Sequence, residues 1–160
     1  MSIHGEFRKQ GGMEIIYKGQ KIHRCFYIEK KGKYQLKFTF VKTNSPFLQL
    51  IAIFLDGFKG KIFLDGQEIK PRRKRFPRLD FYEDTAPKDI FLDVELEDGY
   101  LAICNGSDPL GTKEITHTLS FECAMIIENY EPNKYRFICN DHEFDDDFDD
   151  LIFEMEIIEW

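Results

Sequence analysis

The sequence predicts an all-β fold: a two-sheet antiparallel β-sandwich of jelly-roll type, with an immunoglobulin-like Greek key as the alternative. Three observations carry this expectation. Apolar and polar residues alternate with a period of two along residues 34–40, 90–97 and 119–127, as strands do and helices do not. About ten such short segments are separated by turn residues at regular spacing. No stretch has the periodicity of an amphipathic helix, so crossover helices for a parallel sheet are lacking.

Taken in order, residues 1–12 are polar and glycine-bearing and are expected to be a loosely held tail, leaving 13–160 as a single β-sandwich domain. Glu14 to Tyr17 and Ile22 to Glu29 are apolar-rich runs flanking a hairpin turn at Lys18-Gly19-Gln20-Lys21. Tyr34, Leu36, Phe38 and Phe40 alternate with Gln35, Lys37 and Thr39, which predicts a half-buried strand. Leu48 to Leu55 is apolar apart from Gln49, as in a strand covered on both faces. Lys61 to Leu64 meets Asp65-Gly66, a tight-hairpin dipeptide, before Gln67-Glu68-Ile69. Lys70 to Arg78 contains two prolines and reads as a basic loop.

Alternation resumes at Ile90, Leu92, Val94 and Leu96, and an Asp98-Gly99 turn leads into Tyr100 to Cys104. Asn105 to Gly111 has the composition of a loop. Thr116 to Glu128, Tyr135 to Cys139 and Leu151 to Ile157 complete the strands. Cys25, Cys104, Cys123 and Cys139 each fall in an expected strand without close CxxC spacing, so they read as buried thiols of a reducing compartment.

At 160 residues, 42% hydrophobic and 15% aromatic, the chain has ample material for one core. No apolar run reaches the roughly 20 residues that span a bilayer, and the N-terminus lacks an apolar signal segment. A cytoplasmic location is expected, or an extracellular one if the chain is part of something larger. The net charge of −7 hides an asymmetry: residues 1–80 carry 18 Lys and Arg against 7 Asp and Glu, whereas residues 81–160 carry 4 against 22. Distant strands are therefore expected to meet with complementary charge, or two copies to associate as a homo-oligomer. The free acidic face argues against nucleic acid as a partner. No nucleophile elbow, glycine-rich phosphate loop or HExxH motif is present, and an enzyme is not expected.

Six aspartates crowd residues 141–150, directly before the last apolar segment. Their mutual repulsion calls for solvent, basic neighbours or a cation, and hard oxygen ligands close in sequence suit Ca²⁺. The candidate ligands are Asp141, Asp145, Asp147, Asp149 and Asp150. The alternative is a solvated acidic turn, or one helical turn that buries Phe144 and Phe148 beside a strand. Residues 145–153, Asp-Asp-Asp-Phe-Asp-Asp-Leu-Ile-Phe, resemble a motif near the end of certain secreted bacterial β-sandwich domains of unknown function. That resemblance implies calcium binding on a β-sandwich.

The functional expectation is a non-catalytic module, with Ca²⁺ in its acidic loop, that recognises a glycan or protein through end loops. Exposed aromatics, Phe58, Phe76 and Tyr130 together with Phe47, would supply stacking contacts. The alternative is an interaction or assembly protein that pairs through charged surfaces, with Arg72, Arg73 and Arg75 as the basic partners and no metal.

Overall fold

The computed structural model of the chain describes residues 3–55, 57–70, 78–113, 123–141 and 148–159. One helix, α1 (Ile3–Gln10), precedes the strands β1 (Glu14–Tyr17), β2 (Gln20–His23), β3 (Phe26–Ile28), β4 (Gly32–Thr43), β5 (Leu48–Phe54), β6 (Lys59–Leu64) and β7 (Gln67–Ile69). They are followed by β8 (Leu79–Tyr82), β9 (Asp89–Asp98), β10 (Leu101–Asp108), β11 (Ala124–Glu131), β12 (Lys134–Asn140) and β13 (Leu151–Glu159).

Every pairing is antiparallel. A four-stranded sheet has the order β3-β10-β5-β8, and a nine-stranded sheet has the order β1-β2-β11-β12-β13-β4-β9-β6-β7. Between β3 and β10 the chain passes from sheet to sheet at each connection except the β6–β7 hairpin. Numbered within those eight strands, one sheet reads 1-8-3-6 and its facing segment reads 2-7-4-5, which is the interleaved double Greek key of a jelly roll. The immunoglobulin-like alternative lacks this interleaving. Strands β11–β13 and the β1–β2 hairpin extend the larger sheet beyond its β4 edge.

Local chemistry explains the best-anticipated elements. Lys18-Gly19 and Asp65-Gly66 have φ of 50° and 77°, and of 51° and 79°, the paired left-handed geometry that a two-residue hairpin needs to match strand twist. Tyr34, Leu36 and Phe38 turn one face of β4 wholly into the core, opposite Leu92 and Ile90 on β9 and Ile157 and Met155 on β13. Phe137 and Phe153, direct cross-strand partners, stack with centroids 4.5 Å apart. β5 is buried on both faces. Ile51 and Ile53 join the main core, while Leu50 and Ala52 pack with Tyr82 on the other side.

Four expectations are corrected. Residues 3–10 are not a loose tail: Ile3 and Phe7, one turn apart, bury against Ile15, Tyr17, Ile22, Ala124 and Phe148 on the outer face of the large sheet. The run Ile22 to Glu29 is not one strand, because the chain leaves the large sheet at Arg24 and enters the small one at Phe26. Asn105 to Asp108 is not a loop. It continues β10 in register with β5, where pairing overrides turn propensity. The four cysteines form no disulfide, and Cys25 and Cys123 lie just outside strands rather than within them.

The charge asymmetry is met in part within the fold at described positions. Basic residues of the first half meet acidic ones of the second, Lys33 to Glu95 at 3.5 Å, Lys31 to Asp98 at 4.0 Å, and Lys30 to Glu159. These pairs are exposed, so each contributes at most about 1 kcal/mol.

Candidate metal centre

One end of the jelly-roll core is polar, and strand parity explains which residues meet there. On β5, Ile51 and Ile53 face between the sheets, so Gln49 does too. On β10, Leu101 and Ile103 set the same direction for Asn105 and Ser107. On the facing sheet, Phe137 and Cys139 are core residues, which carries Asp141 inward just beyond β12. Gln49 and Ser107 are register partners. Gln49, Asn105, Ser107, Asn140, Asp141 and Asp150 are all at most 3% exposed, so the sandwich is closed at this end by a buried polar plug.

The plug is bound together by directed hydrogen bonds. Asp141 Oδ2 accepts from Ser45 Oγ at 2.5 Å and from Gln49 Nε2 at 3.2 Å. Asp150 Oδ2 accepts from the Asp141 backbone N–H at 3.0 Å, and the Asp150 N–H donates to Cys139 O at 3.2 Å. Asn44 donates from its backbone to Asp150 O and from Nδ2 to Asp149 Oδ2, at 3.0 and 2.8 Å. Asn105 Nδ2 donates to Asn140 O at 2.8 Å. Phe148, at φ 52°, drops its ring into the cluster under α1 and fixes the entry to β13.

Two buried oxygens stand out. Gln49 Oε1 and Asn105 Oδ1 have no hydrogen-bond partner among the described residues. Turning the amides over does not help, because Gln49 Nε2 faces two acceptors, Phe47 O at 3.1 Å and Asp141 Oδ2, and Asn105 Nδ2 faces Asn140 O. A buried acceptor left in this way costs about 1–3 kcal/mol, so a donor or a cation belongs beside each. Both amides adjoin the Asn140–Asp141 peptide. The plug thus holds both carboxylate and amide oxygens, which are hard donors. Among the described residues, no group of three or more His, Cys, Asp or Glu side chains is arranged to hold a metal.

The sequence-derived candidates distribute unevenly. Asp141, Asp149 and Asp150 are brought together at the plug, whereas Asp145 and Asp147 lie outside the described residues, as do His142 and Phe144. Phe58 is corrected from an exposed contact residue to a core residue. It is 5% exposed, because its N–H donates to Leu55 O at 3.1 Å in the turn that crosses between sheets, which folds the ring inward. Phe47 is half-buried. Tyr130 is exposed, but it lies on β11 rather than in an end loop. Its hydroxyl is bonded to Glu154 and the Arg136 guanidinium sits 4.9 Å from its ring. The Glu154 carboxylate beside it pushes the phenol up to about 12. Phe76, Arg72, Arg73 and Arg75 fall outside the described residues.

Gln49, Asn105, Asn44 and Ser45 were not among the expected site residues. Gln49 and Asn105 leave only a local trace in the sequence, a lone amide inside the apolar run of β5 and a polar tetrapeptide directly following the apolar part of β10, which does not show that they meet; Asn44 and Ser45 leave none. The chain matches no known protein family, no curated protein and no solved structure.

Proposed function

We propose that this chain is a non-catalytic, calcium-dependent binding module that recognises a glycan or protein at the polar end of its β-sandwich. The observation that carries the reading is the pair of buried amide oxygens, Gln49 Oε1 and Asn105 Oδ1, on side chains whose nitrogens bond the Asp141 carboxylate and the Asn140 carbonyl. In this reading Asp141 and Asp150 hold the ion with those two oxygens, and Asp145, Asp147 and Asp149 supply further carboxylate oxygens. The ion neutralises acidic side chains that a buried environment would otherwise force together. The protein's own part is to fix the donors: Ser45 and Gln49 orient the Asp141 carboxylate, and the Asp141 N–H orients that of Asp150.

The rival reading, a charge-paired assembly without metal, is less well supported by described positions. Lys30, Lys31 and Lys33 are engaged within the chain. The discriminating experiment is thermal melting in Ca²⁺ and in chelator. A Ca²⁺-dependent rise in Tm that Asp141→Asn abolishes is expected. An indifferent Tm would mean that ordered water, which can donate to both amide oxygens, occupies the plug instead.

A further inference from the structure

We propose that Cys25 and Cys104 are a paired thiol site that low-molecular-weight disulfides oxidise to a reversible cross-strand bridge between β3 and β10. The pairing follows from register. Ile28, Tyr27 and Phe26 oppose Leu101, Ala102 and Ile103, and the next position on each side is Cys25 and Cys104. Directly opposed residues of an antiparallel pair have Cα atoms about 4.5–5.5 Å apart, within the range that a disulfide spans. Neither thiol is in a disulfide, and their Sγ atoms are 2.6 Å apart, closer than two unbonded sulfurs ordinarily pack and near the S–S bonding distance.

The two sulfurs are not equivalent, and the difference assigns their roles. Cys25 is half-buried, in the crossing between the sheets, whereas Cys104 is 6% exposed inside β10. The Cys104 thiol hydrogen-bonded to it holds the Cys25 thiol below its ordinary range, with Tyr27 and the Arg24 cation assisting. The same contact, with burial, pushes Cys104 well up. A thiolate that is depressed and reachable is the attacking group. Cys25 S⁻ attacks one sulfur of the reagent RSSR, forms a mixed disulfide and expels RS⁻. Cys104, losing its proton to solvent, then displaces the second RS⁻ and closes the Cys25–Cys104 bond. Two protein thiols are oxidised and one RSSR is reduced to two RSH.

The bridge would anchor a weak element. β3 is a three-residue edge strand, and it follows Arg24, whose guanidinium bonds Cys123 O at 3.2 Å and covers the Phe7 ring at 4.1 Å. Locking it joins the small sheet to the crossing that α1 packs against. The closed loop spans 79 residues of sequence separation. Loop-closure entropy for that length predicts a Tm rise on the order of 10 °C on oxidation.

The test treats the full chain with oxidised glutathione, then maps disulfides by mass spectrometry and measures Tm before and after dithiothreitol. The expected result is loss of two hydrogens from the intact mass, a linked pair of peptides containing Cys25 and Cys104, and a reversible rise in Tm. Cys25→Ser should prevent the bridge, whereas Cys123→Ser should not. A lasting glutathione adduct on Cys25, four alkylatable thiols after treatment, or linkage through Cys123 or Cys139 would overturn the proposal. The mapping is done on the unmodified protein, so it decides the question even if a variant folds poorly.

Discussion

Replacing Asn105 with Leu separates the two explanations of the polar plug, because Leu keeps the branch at Cγ while removing both amide atoms. In the absence of a cation the change has opposing terms. Loss of the Nδ2 bond to Asn140 O, at 2.8 Å, costs about 0.5–1.5 kcal/mol. Removal of the partnerless Oδ1, at a residue 1% exposed, relieves about 1–3 kcal/mol, and the added methyl groups fill or crowd the space on that strand face by a similar amount. In chelator the variant should therefore lie within about 2 kcal/mol of the parent. In Ca²⁺ at a hundred times Kd the parent gains about 2.7 kcal/mol and the variant little of it. At 2–4 °C per kcal/mol for a chain of this size, the parent's calcium shift is roughly 5–11 °C and should shrink to a small fraction in Asn105→Leu. The assay is differential scanning calorimetry on both proteins with and without Ca²⁺. An undiminished calcium shift in the variant would refute the assignment of Asn105 Oδ1 as a ligand.

Two further outcomes test the fold around the site. Phe7→Ala should cost about 3–5 kcal/mol in urea unfolding, because Phe7 is 4% exposed and closes the cluster on the outer face; a change below about 1 kcal/mol would return residues 3–10 to the status of a tail. Tyr34 is fully buried, its hydroxyl donates to Lys30 O at 2.8 Å, and burial pushes its phenol from 10 up to about 12. The folded value lies above the unfolded one, so its contribution of about 2–3 kcal/mol is complete below pH 10 and is lost as pH rises through 12. Denaturant melts of wild type and Tyr34→Phe between pH 8 and 12 should show the wild type losing stability more steeply, and parallel profiles would contradict this.

The strands that proved most legible were those whose own side chains decide their environment. β4 and β9 alternate because one face of each is core, and the Lys18-Gly19 and Asp65-Gly66 turns are set by residues that tolerate positive φ. Elements decided by distant partners were less legible. α1 shows only Ile3 and Phe7 as apolar contacts, and its docking surface joins Ile15, Tyr17 and Ile22 of the β1–β2 hairpin to Ala124 and Phe148, more than a hundred residues away. The break at Arg24-Cys25 marks a change of sheet, which no local propensity encodes. Asn105 to Asp108 looks like a turn until β5 is laid beside it. For the same reason the aspartates were visible as a cluster, but the meeting of Gln49 and Asn105 with the Asn140–Asp141 segment was not. Gln49 and Asn105 come from strands that approach the β12–β13 end only across the sandwich.

The central claim is that a calcium ion completes the polar plug, and Ca²⁺ titration of the full chain followed by melting tests it most directly. The account predicts a Tm that climbs with Ca²⁺ concentration and falls back on chelation. Mg²⁺ should give a smaller rise, because it demands tighter octahedral geometry and releases water reluctantly. Asp141→Asn should remove the response. A melting curve unchanged by millimolar Ca²⁺ and by chelator, in both the parent and Asp141→Asn, would contradict it.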